Sequence, residues 1–380
     1  MEMFNVKRAI VNSHVYDVVA DTVHENTTIL WEDGIIKHVG KDIEIPTDAE
    51  IIDGSGCFVT PGFIHSFTQM GLREYGLRWE GDDSHEASDF IQPHLSVIDG
   101  INPYDKAFEV ARGYGVTTAH VAPGAQNVIS GKTAIIKTMG SVVDNMVVEV
   151  DHGLAVSLGE VPKGAYQQKF KTRLTRMRMA YIVREQLRKA LYDDQSDVYK
   201  EEVFKKILAK EAPLYIRAHR SDDIVTAVRL KKEFDINVVI VHATEAYQVM
   251  DILADSEIPI VAGPFYSPKS REELKNLHPS TSTKINNAGI DFSLISSAVR
   301  NVSLEGALSV REGVSRGKAL HAITLGAAKI LGISEQVGSI EKGKEADLVV
   351  WDNQPLELTT NVVQTIINGS TVYEQEGRFK

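Results

Sequence analysis

Hydrophobic and polar positions divide the chain into three zones. From Lys7 to Ile52 the short runs K-R-A-I-V-N-S, T-I-L-W-E-D-G-I-I-K-H-V-G and A-E-I-I-D-G read as strands, separated by the turn signals Asp33-Gly34 and Asp53-Gly54. The far end repeats this style in V-G-S-I-E-K-G-K-E-A-D-L-V-V-W-D from Val337 and V-V-Q-T-I-I-N-G-S-T-V-Y from Val362, where Asn368-Gly369 predicts another hairpin turn. Neither small antiparallel sheet buries both faces alone, so pairing the two ends in one β-sandwich, residues 1–59 plus 336–380, is the expected solution.

Between them, over 60–335, apolar runs alternate with helical periodicity. Buried parallel strands are expected at 59–64, 116–122, 133–138, 154–159, 214–219, 237–243, 258–263 and 290–297, with helices at 103–115, 178–191 and 222–234 among others. Eight strands over this length fit a closed (β/α)8 barrel, whose usual size is ~250 residues. A doubly wound sheet would need a Gly-rich phosphate loop after its first strand, and none stands there. The expected fold class is therefore α/β, a distorted TIM-like barrel flanked by the sandwich.

Composition narrows the function. With 380 residues, 43% of them hydrophobic, the chain can bury a full core, and its net charge of -11 without a basic run argues against a nucleic-acid partner. No window approaches the ~18 uninterrupted apolar residues of a membrane span, and Met1–Arg8 leads into a strand pattern without a signal-like stretch, so a soluble cytoplasmic protein is expected. Cys57 is the only cysteine, which excludes intrachain disulfides and thiolate-rich metal sites. Any metal would rest on His, Asp, Glu or a modified Lys.

The stretch V-T-P-G-F-I-H-S-F-T-Q-M-G-L from Val59 resembles the first barrel strand of the amidohydrolase superfamily, T-P-G-hydrophobic-I-D-x-H-x-H, whose two histidines hold a catalytic metal. G-S-I-E-K-G-K-E-A-D-L-V-V-W-D resembles the superfamily's C-terminal signature. The order of E-G-D-D-S-H-E-A-S-D-F-I-Q-P-H-L-S-V-I-D-G-I-N-P, G-V-T-T and P-G-A-Q-N-V-I-S-G-K-T-A-I-I-K-T-M-G is similar to that of imidazolonepropionase-related members. The resemblance implies a barrel with a composite sandwich and hydrolysis of C–N bonds in non-peptide or cyclic amides.

Carried over residue by residue, the resemblance places the paired histidines on Phe67 and Gln69, with His65 one strand repeat, about 6–7 Å, below. Glu160 matches a carboxylate position, Arg217 a ligand position with His219 beside it, and His242 a ligand directly, while the family's Asp, ligand and general base, falls on Ser297. Asp291 begins that last strand, at the far end of the barrel. A catalytic zinc wants about three protein ligands, and a guanidinium repels a divalent cation beside it. The expectation is a degraded metal centre without cofactor, in which Arg217 pairs with Glu160 and bridges toward His242 around a small-molecule ligand at the barrel mouth. The alternative is an active site with one zinc or other divalent metal on Glu160, His219 and His242. A homo-oligomer is expected.

Other residues have both bland and functional readings. The acidic loop Glu80, Asp82, Asp83, His85, Glu86 and Asp89 is a solvated run or a cap over the mouth; Gln126, Asn127 and Lys132 form a turn or an anion-binding loop. His120 and His152 read as packed or surface histidines, and Tyr166, Arg173, Arg176 and Arg178 as a helix face, a subunit contact or an acidic-ligand site.

Overall fold

Two eight-stranded sheets organise the computed structural model, which describes residues 6–74, 79–192 and 198–376. The chain starts with β1 (Lys7–Asp17), β2 (Thr22–Glu32), β3 (Ile35–Gly40), β4 (Glu50–Asp53) and β5 (Phe58–Pro61). β1 pairs antiparallel with β2, and parallel with β4 and β5. The β2–β3 turn has φ of 50° at Asp33 and 79° at Gly34, the two positive values that a type I′ hairpin requires.

The single strand expected over 59–64 is two strands. β5 ends at Pro61 in the terminal sheet, and β6 (Phe63–Thr68) opens the barrel. At the crossing, a Cβ on Gly62 would lie 2.1 Å from the Thr117 Oγ1, so the backbone passes from one sheet to the other only because this residue has no side chain.

After β6 come β7 (Val116–Val121), β8 (Ile129–Lys137), β9 (Val147–Ser157), β10 (Leu214–Ala218), β11 (Val238–His242), β12 (Ile260–Ala262) and β13 (Phe292–Leu294), in this order across the sheet. Hydroxyls of Ser66 and Ser293, 2.7 Å apart, join the first and last strands into a nearly closed TIM-like barrel. One expectation fails here: β8 is antiparallel to both β7 and β9. Only residues 122–128 link β7 to β8, too few for the dozen or so that a parallel crossover needs. The reversal keeps that short connection at the barrel mouth and sends Lys137 to the opposite end. Helices Lys106–Gly113, Arg176–Tyr192 and Ser221–Phe234 fill the three expected windows with shifted ends.

β14 (Leu348–Trp351), β15 (Val362–Ile367) and β16 (Ser370–Glu374) then return to the first sheet, with β14 antiparallel to β5. Its order is β16-β15-β14-β5-β1-β2-β3, with β4 beside β1. The sheet curls until its two hairpin turns touch: a Cβ on Gly34 would lie 2.7 Å from the Asn368 carbonyl oxygen, and Trp31 Nε1 donates to the Gly369 carbonyl at 3.0 Å. Ile10, Ile29, Trp31, Val59, Leu348 and Val363 belong to its own buried cluster. Lys137, at the end of β8, fastens the barrel to this sheet through Asp347 at 2.8 Å and Glu345 at 2.5 Å.

Candidate functional site

The C-terminal ends of the parallel strands open onto a cavity of about 520 Å³, a volume typical of small-molecule sites. His65, Phe67 and Gln69 reach it from β6 and its continuation, sharing one face by the two-residue alternation of a strand. Arg217 and His219 come from the end of β10, His242 from β11, and Ser297 from the loop after β13, where it is exposed on the rim.

Arg217 is 5% exposed. Its guanidinium lies 4.5 Å from the centroid of the Phe67 ring, while Nη1 donates to Ser157 Oγ at 3.3 Å and Nη2 donates to the Pro123 carbonyl. Burial lowers its pKa to about 9, still protonated at neutral pH. Among the described residues no carboxylate pairs with it.

The expected Arg217–Glu160 pair is thereby corrected. Glu160 begins helix Glu160–Phe170 and does not line the cavity. Its backbone N–H donates to Glu273 Oε2 at 2.8 Å, and its own Oε2 accepts from the Glu273 N–H at 3.0 Å. The free amides at a helix start attract carboxylates, so Glu273 clasps Glu160. The β7–β8 connection, held at the mouth by the strand reversal, offers Arg217 a neutral carbonyl instead.

The His219 and His242 rings stack with centroids 4.4 Å apart and an interplanar angle of 11°. His219 Nδ1 meets Thr244 Oγ1 at 2.8 Å, and His242 Nδ1 lies 2.9 Å from the Gly263 carbonyl. A carbonyl only accepts, so this contact assigns the His242 proton to Nδ1 and leaves Nε2 as an acceptor. His242 also holds φ at 77°, an uncommon conformation for a residue with a side chain and one that clusters at functional sites. Burial lowers the His242 pKa to about 4 and, with His242 and two arginines nearby, takes His219 well below its ordinary value. Both rings are neutral at pH 7. His219 Nε2 and Glu273 Oε1, 3.6 Å apart, are accordingly neighbours rather than an ion pair.

Glu273 was not apparent from the sequence. It is 2% exposed, lines the cavity and contacts Arg271 Nη1 at 3.1 Å; burial raises its pKa against the opposing pull of the Glu160 N–H and Arg271. In R-E-E-L-K it looks like any solvated charge run. His65 is 2% exposed with an unpartnered Nδ1, and burial lowers its pKa to about 4.

Several of the remaining candidates have structural partners, whereas the buried His85 Nδ1 has none among the described residues. Asp82, Glu86 and Asp89 accept hydrogen bonds within their own loop, from Ser84, Ser88 and Phe90. Asn127 donates to the Glu86 carbonyl, and Lys132 pairs with Asp151. His120 and His152 are buried around Tyr215, and the Phe67 ring meets His120 edge-on. Tyr166 packs on Phe90, Arg176 pairs with Asp223, and Arg178 covers Tyr181. Asp291 lines a different cavity with His321 and Lys329. The mouth does not fit the three-donor metal centre implied by the family resemblance. Glu160 is turned to Glu273, Arg217 stands where the resemblance expects a ligand, and among the described residues no three His, Cys, Asp or Glu side chains converge.

A barrel with its mouth at the strand ends and a sheet drawn from both termini is the architecture of an amidohydrolase, and comparison agrees. The model of the Amidohydrolase family matches residues 291–373. The chain is 34% identical to an amidohydrolase of solved structure from Thermotoga maritima MSB8, with a TM-score of 0.93 over 97% of this chain and 100% of that one. It belongs to the amidohydrolase superfamily, among its imidazolonepropionase-related members. It is 25% identical to the imidazolonepropionase of Clostridium tetani over 93% of this chain and 92% of that protein. With the amidohydrolase tasK of Hapsidospora irregularis it shares 27% identity over 91% of its own length, and spans 40% of that longer protein.

Proposed function

We propose that this amidohydrolase-family protein keeps the barrel mouth as a ligand pocket after replacement of its metal-binding positions, with little or no hydrolase activity. The observation that supports this reading is the buried Arg217 guanidinium where the family resemblance expects a metal ligand. Its positive charge would oppose a divalent cation at the same depth of the pocket. Phe67, Gln69 and Ser297, which replace the other expected ligands, offer no strong donor in compensation.

The test is metal content by plasma mass spectrometry, on protein purified without chelator after growth with added zinc and manganese. Metal at background is expected. Near-stoichiometric metal that disappears in His242→Ala would overturn the reading and restore a single-metal hydrolase. Among the described residues no helix is long and apolar enough to cross a membrane; a cytoplasmic location belongs to the same proposal and is checked by fractionation.

A further inference from the structure

We infer that the outer face of helix Arg176–Tyr192 is a two-fold contact, on which a second copy of this chain docks the same helix antiparallel to the first. No residue of this helix lines the mouth cavity, so the inference is independent of the reading of the mouth.

Exposure is the first argument. Met179, Ala180, Ile182, Val183 and Leu187 turn inward and bury one side of the helix against its own chain. The opposite stripe runs Met177, Arg178, Tyr181, Glu185, Arg188 and Tyr192, at spacings of three and four that keep to one face. Met177 is 79% exposed and Tyr192 83%, and Tyr181 is half exposed. A helix face that meets only water is expected to be polar. Met, Tyr and Arg are instead the types enriched where proteins meet, and an exposed apolar strip edged with charge marks an interaction site.

Charge identifies the partner. Arg176 pairs with Asp223, and Arg184 and Arg188 pair with Glu233. Two opposite charges on the stripe have no ion pair among the described residues. Arg178 covers the Tyr181 ring at 5.0 Å, and Glu185 accepts from the Tyr181 hydroxyl at 3.5 Å. They stand two turns apart, about 10 Å along the axis, too far to meet within one helix. A two-fold axis beside Tyr181 sets Arg178 opposite Glu185 of the second copy, and Glu185 opposite its Arg178. The Tyr181 rings then pack between the two ion pairs, with axes about 8–10 Å apart. The order cation, aromatic, anion complements itself only when reversed, which is the requirement of an isologous contact. Lys189 falls beyond the overlap of the two helices and faces no like charge.

The experiment is sedimentation velocity over a hundredfold range of concentration on wild type, Arg178→Glu, Glu185→Arg, the variant carrying both changes, and Tyr181→Ala. Wild type should pass from the mass of one chain to twice that mass, and added salt should weaken the association. Each single reversal sets two pairs of like charges across the axis and should weaken the dimer about tenfold or more. The double variant exchanges the charges and should return to within about threefold of wild type. Tyr181→Ala should weaken the dimer about tenfold. These side chains face outward, so the dilute variants should melt with wild type. A chain that stays monomeric throughout, a dimer indifferent to both reversals, or a double variant as weak as the singles overturns the inference. Poly-glutamate is the probe for a competing occupant. Its binding to monomeric wild type, lost in Arg178→Glu and kept in Glu185→Arg, would assign the face to an acidic partner in place of a second copy.

Discussion

The barrel buries a cation at each end, and the two are treated differently. At the closed end Lys137 is 7% exposed and held by Asp347 and Glu345. Burial works against its charge, yet the two carboxylates outweigh it and raise its pKa. At the mouth Arg217 is buried as deeply, has only neutral partners, and its pKa is lowered to about 9. A cation that serves the fold carries its counter-charge with it. The one at the mouth is held, among the described residues, by neutral oxygens and a ring face alone.

The largest effect that would sharpen this contrast is at Lys137. Lys137→Met should cost about 3–5 kcal/mol in denaturant unfolding, because it strands the buried Asp347. A loss of less than about 1 kcal/mol, the worth of an exposed ion pair, would break the distinction between the two cations.

Next is the pH dependence of the mouth. His65 has a folded pKa of about 4 against an ordinary 6.5, so between these values the unfolded chain binds more protons and stability rises with pH. Its contribution is complete above pH 6.5 and fades as pH falls through about 4, on the order of 3 kcal/mol in all. His65→Gln should flatten that part of the stability curve; an unchanged curve would remove His65 as its source.

Glu305 gives a pH dependence of similar span and opposite sign, with a smaller change on substitution. Burial raises its pKa to about 7, above the ordinary 4.5, so its contribution is complete below pH 4.5 and is lost as pH rises through 7. Glu305→Gln should flatten this dependence and change stability at neutral pH by about 1 kcal/mol or less, since the amide still accepts from the Phe265 N–H.

The smallest expected change is none. Phe67→His combined with Gln69→His should leave metal content at background while Arg217 remains. Tight zinc binding by that double variant would show that the guanidinium does not govern the mouth.

Much of the frame was legible because it rests on local rules. Asp33-Gly34 and Asn368-Gly369 adopt positive φ at all four residues, as hairpin turns of that composition predict. The direction of β8 was harder to read, since an apolar run looks the same in either orientation and only the length of the connection separates them. Positions at the mouth could be named from the motif, but partners could not. Glu160 meets Glu273 from 113 positions away, and Lys137 meets Asp347 from 210. Such pairings depend on tertiary approach, which neither periodicity nor spacing encodes.

The sheet shared by both termini has a consequence for biosynthesis. The Trp351 Nε1 bond to Thr60 Oγ1 spans 291 positions, and β5 gains its partner β14 only when that late segment has been made. At about 5–20 residues per second, translation leaves the β5 edge open for roughly 15–60 s. The β7–β9 meander, by contrast, draws its pairing from within residues 116–157 and can form early. Nascent chains stalled before residue 348 should therefore expose the first strands to proteases while that meander is already protected, placing the chaperone requirement at the start of the chain rather than in the barrel.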